Sequence, residues 1–208
     1  MTAFKVGQAV LVFDSKKAEG FGEYSYKTVE SLIPIPTADP KYMVALVNGL
    51  TAAIALDFHG QVKAGDKVLV TAAAGGTGQI AVQWAKAKGA YVIATTSSAE
   101  KAKYLKEELG ADFVINYREK SIADSLKEHF PKGIDVVWET IGGDVFKTLF
   151  ENLAPRGRLV IIGSIHSYKT EGAKDVPIKD LNSTVKILPV THFFYLTNLL
   201  VYFWLLAR

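Results

Sequence analysis

The 208 residues include 22% charged and 49% hydrophobic side chains, with a formal net charge of +3; that is the balance of a globular chain able to bury a sizeable core as one domain, or one domain and a fragment. The charge is too mild, and the lysines too scattered, to argue for nucleic acid as a partner. Cysteine is absent and the four histidines, His59, His129, His166 and His192, stand apart without ligand spacing, which excludes disulfides and thiolate zinc sites and leaves no metal site to expect.

Residues 1–35 read as small antiparallel strands: short alternating runs at 9–13 and 22–27 are joined by turn-forming residues. Pro34, Pro36 and Pro40 mark a boundary. Residues 41–58 have helical periodicity, and Gly60 ends it. Strands are then predicted at 67–71, 91–95, 113–116, 134–138, 158–163 and 184–190. Helices are predicted at 79–88, 99–109, 121–130 and 144–153. Strands alternating with helices imply an α/β fold, a doubly wound parallel sheet of the Rossmann type with helices on both faces.

Between the first of these strands and its helix lies the run Ala72, Ala73, Ala74, Gly75, Gly76, Thr77, Gly78. Against the template G-x-G-x-x-G, Ala73 takes the first glycine's place, Gly75 the second and Gly78 the third. The first closes a tight turn, the second lets amides approach a pyrophosphate, and the third lets helix and strand pack closely. The helix then points its partly positive N-terminus at the phosphates. A glycine-rich turn without a ligand is the alternative; the complete β-α-β unit around the run argues against it.

The end of the second strand selects the dinucleotide. An acidic residue there would bind the ribose diol of NAD, but the chain reads Thr95, Thr96, Ser97, Ser98 and then Lys101. Hydroxyls and an ammonium suit a 2′-phosphate, so NADP(H) is expected. Ser97 or Ser98 is also a fit N-cap for the helix that follows, and the two roles are compatible.

Residues 187–207 are almost wholly apolar and about as long as a membrane span. Pro189, His192, Thr197 and Asn198 are costly or disruptive in hydrocarbon. The segment therefore reads as a last buried strand and a packed helix, with a membrane tether through 188–207 as the alternative. The N-terminus shows neither a signal-peptide nor a transit-peptide pattern, and no peroxisomal Ser-Lys-Leu ending is present; the expected location is intracellular, cytoplasmic or peroxisomal.

Together, Phe4-Lys5-Val6-Gly7, Asn48-Gly49-Leu50-Thr51-Ala52, the alanine–glycine run, Leu109-Gly110-Ala111-Asp112, Ile115-Asn116-Tyr117 and Gly157-Arg158-Leu159-Val160 resemble the medium-chain dehydrogenase/reductases of the zinc-free quinone oxidoreductase type. The resemblance implies residues 1–40 as a remnant of a GroES-like catalytic domain and 41–208 as an NADP-binding Rossmann domain with an incomplete C-terminal return, in a chain that looks truncated. It implies Ala74, Gly75, Gly76, Thr77 and Gly78 at the phosphates. Ser97, Lys101 and Tyr117 would surround the 2′-phosphate and adenine end. Thr140, Ile162 and Tyr168 would line the cofactor, and Phe193, Phe194 and Tyr195 would meet the nicotinamide. Ile162 and Phe194 also read as plain core, and Tyr168 as a loop tyrosine.

The implied activity is hydride transfer from nicotinamide C4 to an activated C=C bond, in an enone such as a 15-oxoprostaglandin, or to a quinone. Such chemistry needs positioning and a donor to the developing oxyanion more than a strong acid or base. No proton donor is assigned, since Tyr195 reads equally as packing. The expected partner is a small-molecule enone or quinone, with a homodimer as one compatible assembly. The alternative function is NADPH binding without turnover.

Overall fold

The computed structural model describes residues 4–13, 22–166 and 186–189. The chain divides into two compact units, Met1–Val47 and Asn48–Arg208.

In the first unit, β1 (Val10–Val12) pairs antiparallel with β2 (Leu32–Pro34), Leu11 opposite Ile33. The predicted strand over 22–27 is not formed, although its alternation is genuine. Tyr24 and Tyr26 project into solvent, 91% and 99% exposed, and alternation makes a strand only where a layer covers one face.

The second unit is a six-stranded sheet in the order β5-β4-β3-β6-β7-β8: Phe113–Asn116, Tyr91–Thr96, Lys67–Val70, Ile134–Glu139, Leu153–Ile161 and Lys186–Pro189. All of its pairings are parallel. Counted from β3, the order is 3-2-1-4-5-6, that of a dinucleotide-binding sheet, and it reverses direction between β3 and β6. Successive residues feed opposite layers. Val68, Val70, Val92, Ala94, Val136 and Trp138 join one core, with Ala52, Ala55 and Leu56 from helix α1 (Lys41–His59) and Ala81, Val82 and Ala85 from α2 (Gly76–Ala87). Leu105 of α3 (Ala99–Glu107) completes it. Leu69, Ile93, Ile115, Val137 and Leu159 join the other core, with Leu126 of α4 (Ile122–His129) and Phe146 and Leu149 of α5 (Gly143–Glu151). Cover on both faces explains why these strands read as continuous apolar runs.

Several boundaries shift by a few residues, and three differences of placement have a local cause. Helix α2 begins at Gly76, three residues before the predicted start, because helix needs no apolar stripe in its first turn. β7 begins at Leu153 and not at 158, passing a bulge opposite Ile134–Val136. Pro155 and Gly157 hide that early start, since Arg156 has φ 65° there. The tight turn after β3 falls on Ala72 (φ 46°), one residue before the template position Ala73, whose amide bonds Thr95 O at 3.2 Å. A non-glycine residue in left-handed backbone costs about 1 kcal/mol. Of helices in the described residues, α1 is long and apolar enough to cross a membrane by composition, with 44% of its most apolar window buried.

Candidate functional site

The carboxyl ends of β3, β4, β5 and β6 surround a cavity of about 370 Å³, lined among others by Ala72, Thr95, Tyr117, Ile141 and Asp144. It opens where the strand order reverses, the place where open α/β sheets bind ligands.

Beside it, the glycine run brings the N-terminus of α2 against the end of β3. A Cβ on Gly78 would lie 2.4 Å from Ala72 O and 2.9 Å from Ala73 Cα, so only glycine lets the helix come this close. Gly75 is the N-cap in extended backbone and supplies no capping side chain. The first-turn amides of α2 are therefore presented to an incoming anion. This cradle fits a dinucleotide diphosphate: the helix end and the close approach are both in place, and the cavity is of ligand size.

Thr77 donates its hydroxyl to Asn48 Oδ1 at 3.1 Å, and Asn48 Nδ2 lies 3.3 Å from where a Gly76 Cβ would stand. Asn48 thus packs into the glycine loop. In the sequence it counted only as part of a family motif, because the helix carrying it lies 28 residues before Gly76. It sits in a π-type turn, Ala45–Gly49, a device that often re-aims side chains at functional sites.

At the second strand end, Ser98 caps α3, its Oγ accepting from Lys101 N at 3.3 Å. Ser97 is half-buried and Lys101 exposed. Tyr117 is 47% exposed, its amide bonds Thr96 O at 3.0 Å, and among the described residues it alone of the predicted cofactor set lines the cavity. At the switch point, Thr140 N donates to Thr71 Oγ1 at 2.9 Å, and the two hydroxyls lie 3.0 Å apart. Ile162, just past β7, is half-buried and packs against the first core, while its amide bonds Glu139 O at 2.8 Å. Tyr168, Phe193, Phe194 and Tyr195 lie outside the described residues.

Glu139 was not singled out in the sequence. It ends β6 with its side chain fully buried, and Oε1 accepts from Ile141 N at 2.6 Å and Gly142 N at 2.9 Å. Burial raises its carboxyl above the usual carboxylate range, against the opposing pull of the Gly142, Ile141 and Thr140 amides. An acidic residue among β-branched and aromatic neighbours was the one available signal.

A family model described as zinc-binding dehydrogenase matches residues 76–197. The chain is 47% identical over 169 residues to prostaglandin reductase-3 of Bos taurus, covering 81% of this chain and 44% of that protein. It is 50% identical over 165 residues to a probable quinone oxidoreductase of Leishmania amazonensis, covering 79% and 48%. The crystal structure of CurA in complex with NADPH from Vibrio vulnificus superposes with a TM-score of 0.65 at 27% identity, over 77% of this chain and 51% of that one. The chain thus spans about half the length of the curated relatives it matches. Although the family description names zinc, the sequence has no cysteine, and among the described residues no three metal-ligating side chains gather.

Proposed function

The chain belongs to the zinc-binding dehydrogenase family, and on that premise we propose that it is an NADPH-dependent reductase of activated C=C bonds, such as those of enones, or of quinones. The observation that carries this reading is the approach of the Ala72 carbonyl to Gly78, too close for any Cβ, with the uncapped start of α2 at the switch point of the sheet. The names of the two relatives support the substrate class, and the NADPH complex supports the cofactor.

When bound, NADPH supplies a hydride to the electron-poor carbon of the substrate. The chain's own part is to hold and orient. The α2 amides and Thr77, steadied by Asn48, bind the diphosphate; Lys101 and Ser97 neutralise and bond the 2′-phosphate; Tyr117 covers the adenine end; Thr140, tied to Thr71, fixes the wall beyond β6. In this reading Ile162 and Tyr168 line the cofactor with Thr140, and Phe193, Phe194 and Tyr195 meet the nicotinamide end. Residues 1–40 are assigned to a GroES-like substrate lobe and 41–208 to the cofactor lobe; the β1–β2 hairpin supports the first assignment.

Titration with NADPH and NADH, by nicotinamide fluorescence, tests the cofactor. Wild type is expected to prefer NADPH, and Lys101→Ala to lose about tenfold in NADPH affinity, or 1.4 kcal/mol, with NADH unchanged. Equal affinity for both coenzymes in wild type refutes the assignment. Enone-dependent loss of NADPH absorbance tests turnover; tight binding without turnover would leave a nucleotide-binding protein.

A further inference from the structure

The turn that follows β6, residues 140–143, forms a wall of the cavity and leads directly into another. Ile141 lines it, and Gly143 opens α5, whose Asp144, Val145 and Thr148 line it as well. The turn is intrinsically soft: Gly142 (φ 81°) and Gly143 (φ 57°) both sit in left-handed backbone, where glycine has the greatest freedom to lose. Side-chain bulk is a poor means of stiffening it, because a Cβ on Gly142 would be strained at φ 81° and would displace the Ser164 hydroxyl.

A single carboxyl oxygen ties two amides of the turn to the end of β6. Glu139 Oε1 takes both amides, Ile141 N and Gly142 N, while Oε2 is buried and has no hydrogen-bond partner among the described residues. A buried polar atom left unpaired is a net cost, and an apolar side chain at the end of β6 would remove it only by leaving the Ile141 and Gly142 amides without this acceptor. What the glutamate secures is both amides on one oxygen, and with them one turn geometry. Carbonyls of the same turn receive Ile165 N at 3.0 Å and His166 N at 2.9 Å, so the geometry set by Glu139 extends to the segment after β7.

We propose that Glu139 is a positioning residue for cofactor binding: through the Ile141 and Gly142 amides it holds the 140–143 turn, and with it Ile141 and the start of α5, in the shape the dinucleotide requires. This rests on the NADPH reading above. Glu139 does not touch the cofactor; it acts through the turn.

The test measures NADPH affinity and melting temperature for full-length wild type, Glu139→Gln, Glu139→Asp, Glu139→Leu and Leu149→Ala. Gln keeps a carbonyl oxygen for both amides and should bind NADPH within about threefold of wild type. Leu removes the acceptor and should weaken binding about tenfold or more. Leu149→Ala makes a cavity under the same helix, lowering the melting temperature but leaving NADPH affinity within about threefold. If the Leu variant does not fold, Asp decides: one methylene shorter, it cannot meet both amides, and it should bind clearly more weakly than Gln. Leu or Asp binding as wild type does, or Gln failing as badly as Leu, overturns the inference while leaving the NADPH reading intact. A wild type that binds neither coenzyme overturns the reading and the inference together.

Discussion

Gly78→Ala is the sharpest perturbation of the phosphate cradle. The new Cβ would meet Ala72 O at 2.4 Å, Ala73 Cα at 2.9 Å and the Ala72 carbonyl carbon at 3.1 Å. All three are backbone atoms, so no side chain can swing aside. Ordinary contact needs about 3.5 Å, and α2 must retreat from the end of β3 by about 1 Å to reach it. Alanine returns up to about 1 kcal/mol of helix propensity, against an overpacking cost of about 1–3 kcal/mol. A net loss of about 1–2 kcal/mol lowers the melting temperature by about 2–8 °C for a unit of this size. Binding should suffer more, because the same retreat lengthens every amide–phosphate hydrogen bond. A loss of about 1.4–2.8 kcal/mol is a 10- to 100-fold rise in Kd. Gly75→Ala is the matched control, its single close contact being 3.1 Å to Ala72 O, with a smaller effect expected. Thermal denaturation and NADPH fluorescence titration give both numbers. A Gly78→Ala protein as stable as wild type, with unchanged NADPH affinity, refutes the cradle.

At the amino end of β3, away from the cavity, Arg158 bonds Asp66 Oδ2 at 2.6 Å and Gly60 O at 2.7 Å, with side chains only 18% and 8% exposed for Arg158 and Asp66. Arg158→Met leaves the buried carboxylate without its counter-charge, holding only the Lys63 amide at 3.3 Å, an expected cost of about 3 kcal/mol, or about 6–12 °C by calorimetry. Adding Asp66→Asn should recover part of that loss; no recovery counts against a charge origin. For Glu139, burial holds the folded-state carboxyl above its ordinary value of 4.5, so the folded state binds the extra proton. Stability from the neutral form is complete below that value and is lost as pH rises through the folded-state one. Glu139→Gln, neutral throughout, should match wild type in acid and melt progressively higher than it toward neutral pH. A pH-independent difference between the two would show that the carboxyl titrates alike in the folded and unfolded states, against the upward shift.

Local sequence was enough for the repeating features of this protein. Runs such as Val68–Val70 and Val136–Trp138 lie in strands covered on both faces, so burial itself imprints them, and the helices between announce themselves by apolar spacing. The role of Gly78 was equally legible, since one missing Cβ answers to one close approach. What the chain order could not reveal arises from contacts between distant segments. Asn48 reaches Thr77 because α1 packs beside α2, and Glu139 reaches its amides because two glycines fold the turn back on the strand end. The 22–27 run alternated as a strand would, but no neighbour completed it. Periodicity follows from which face a residue buries, and the sequence alone determines it. Which side chains converge at the switch point depends on where separate elements meet, and only the packed sheet decided that.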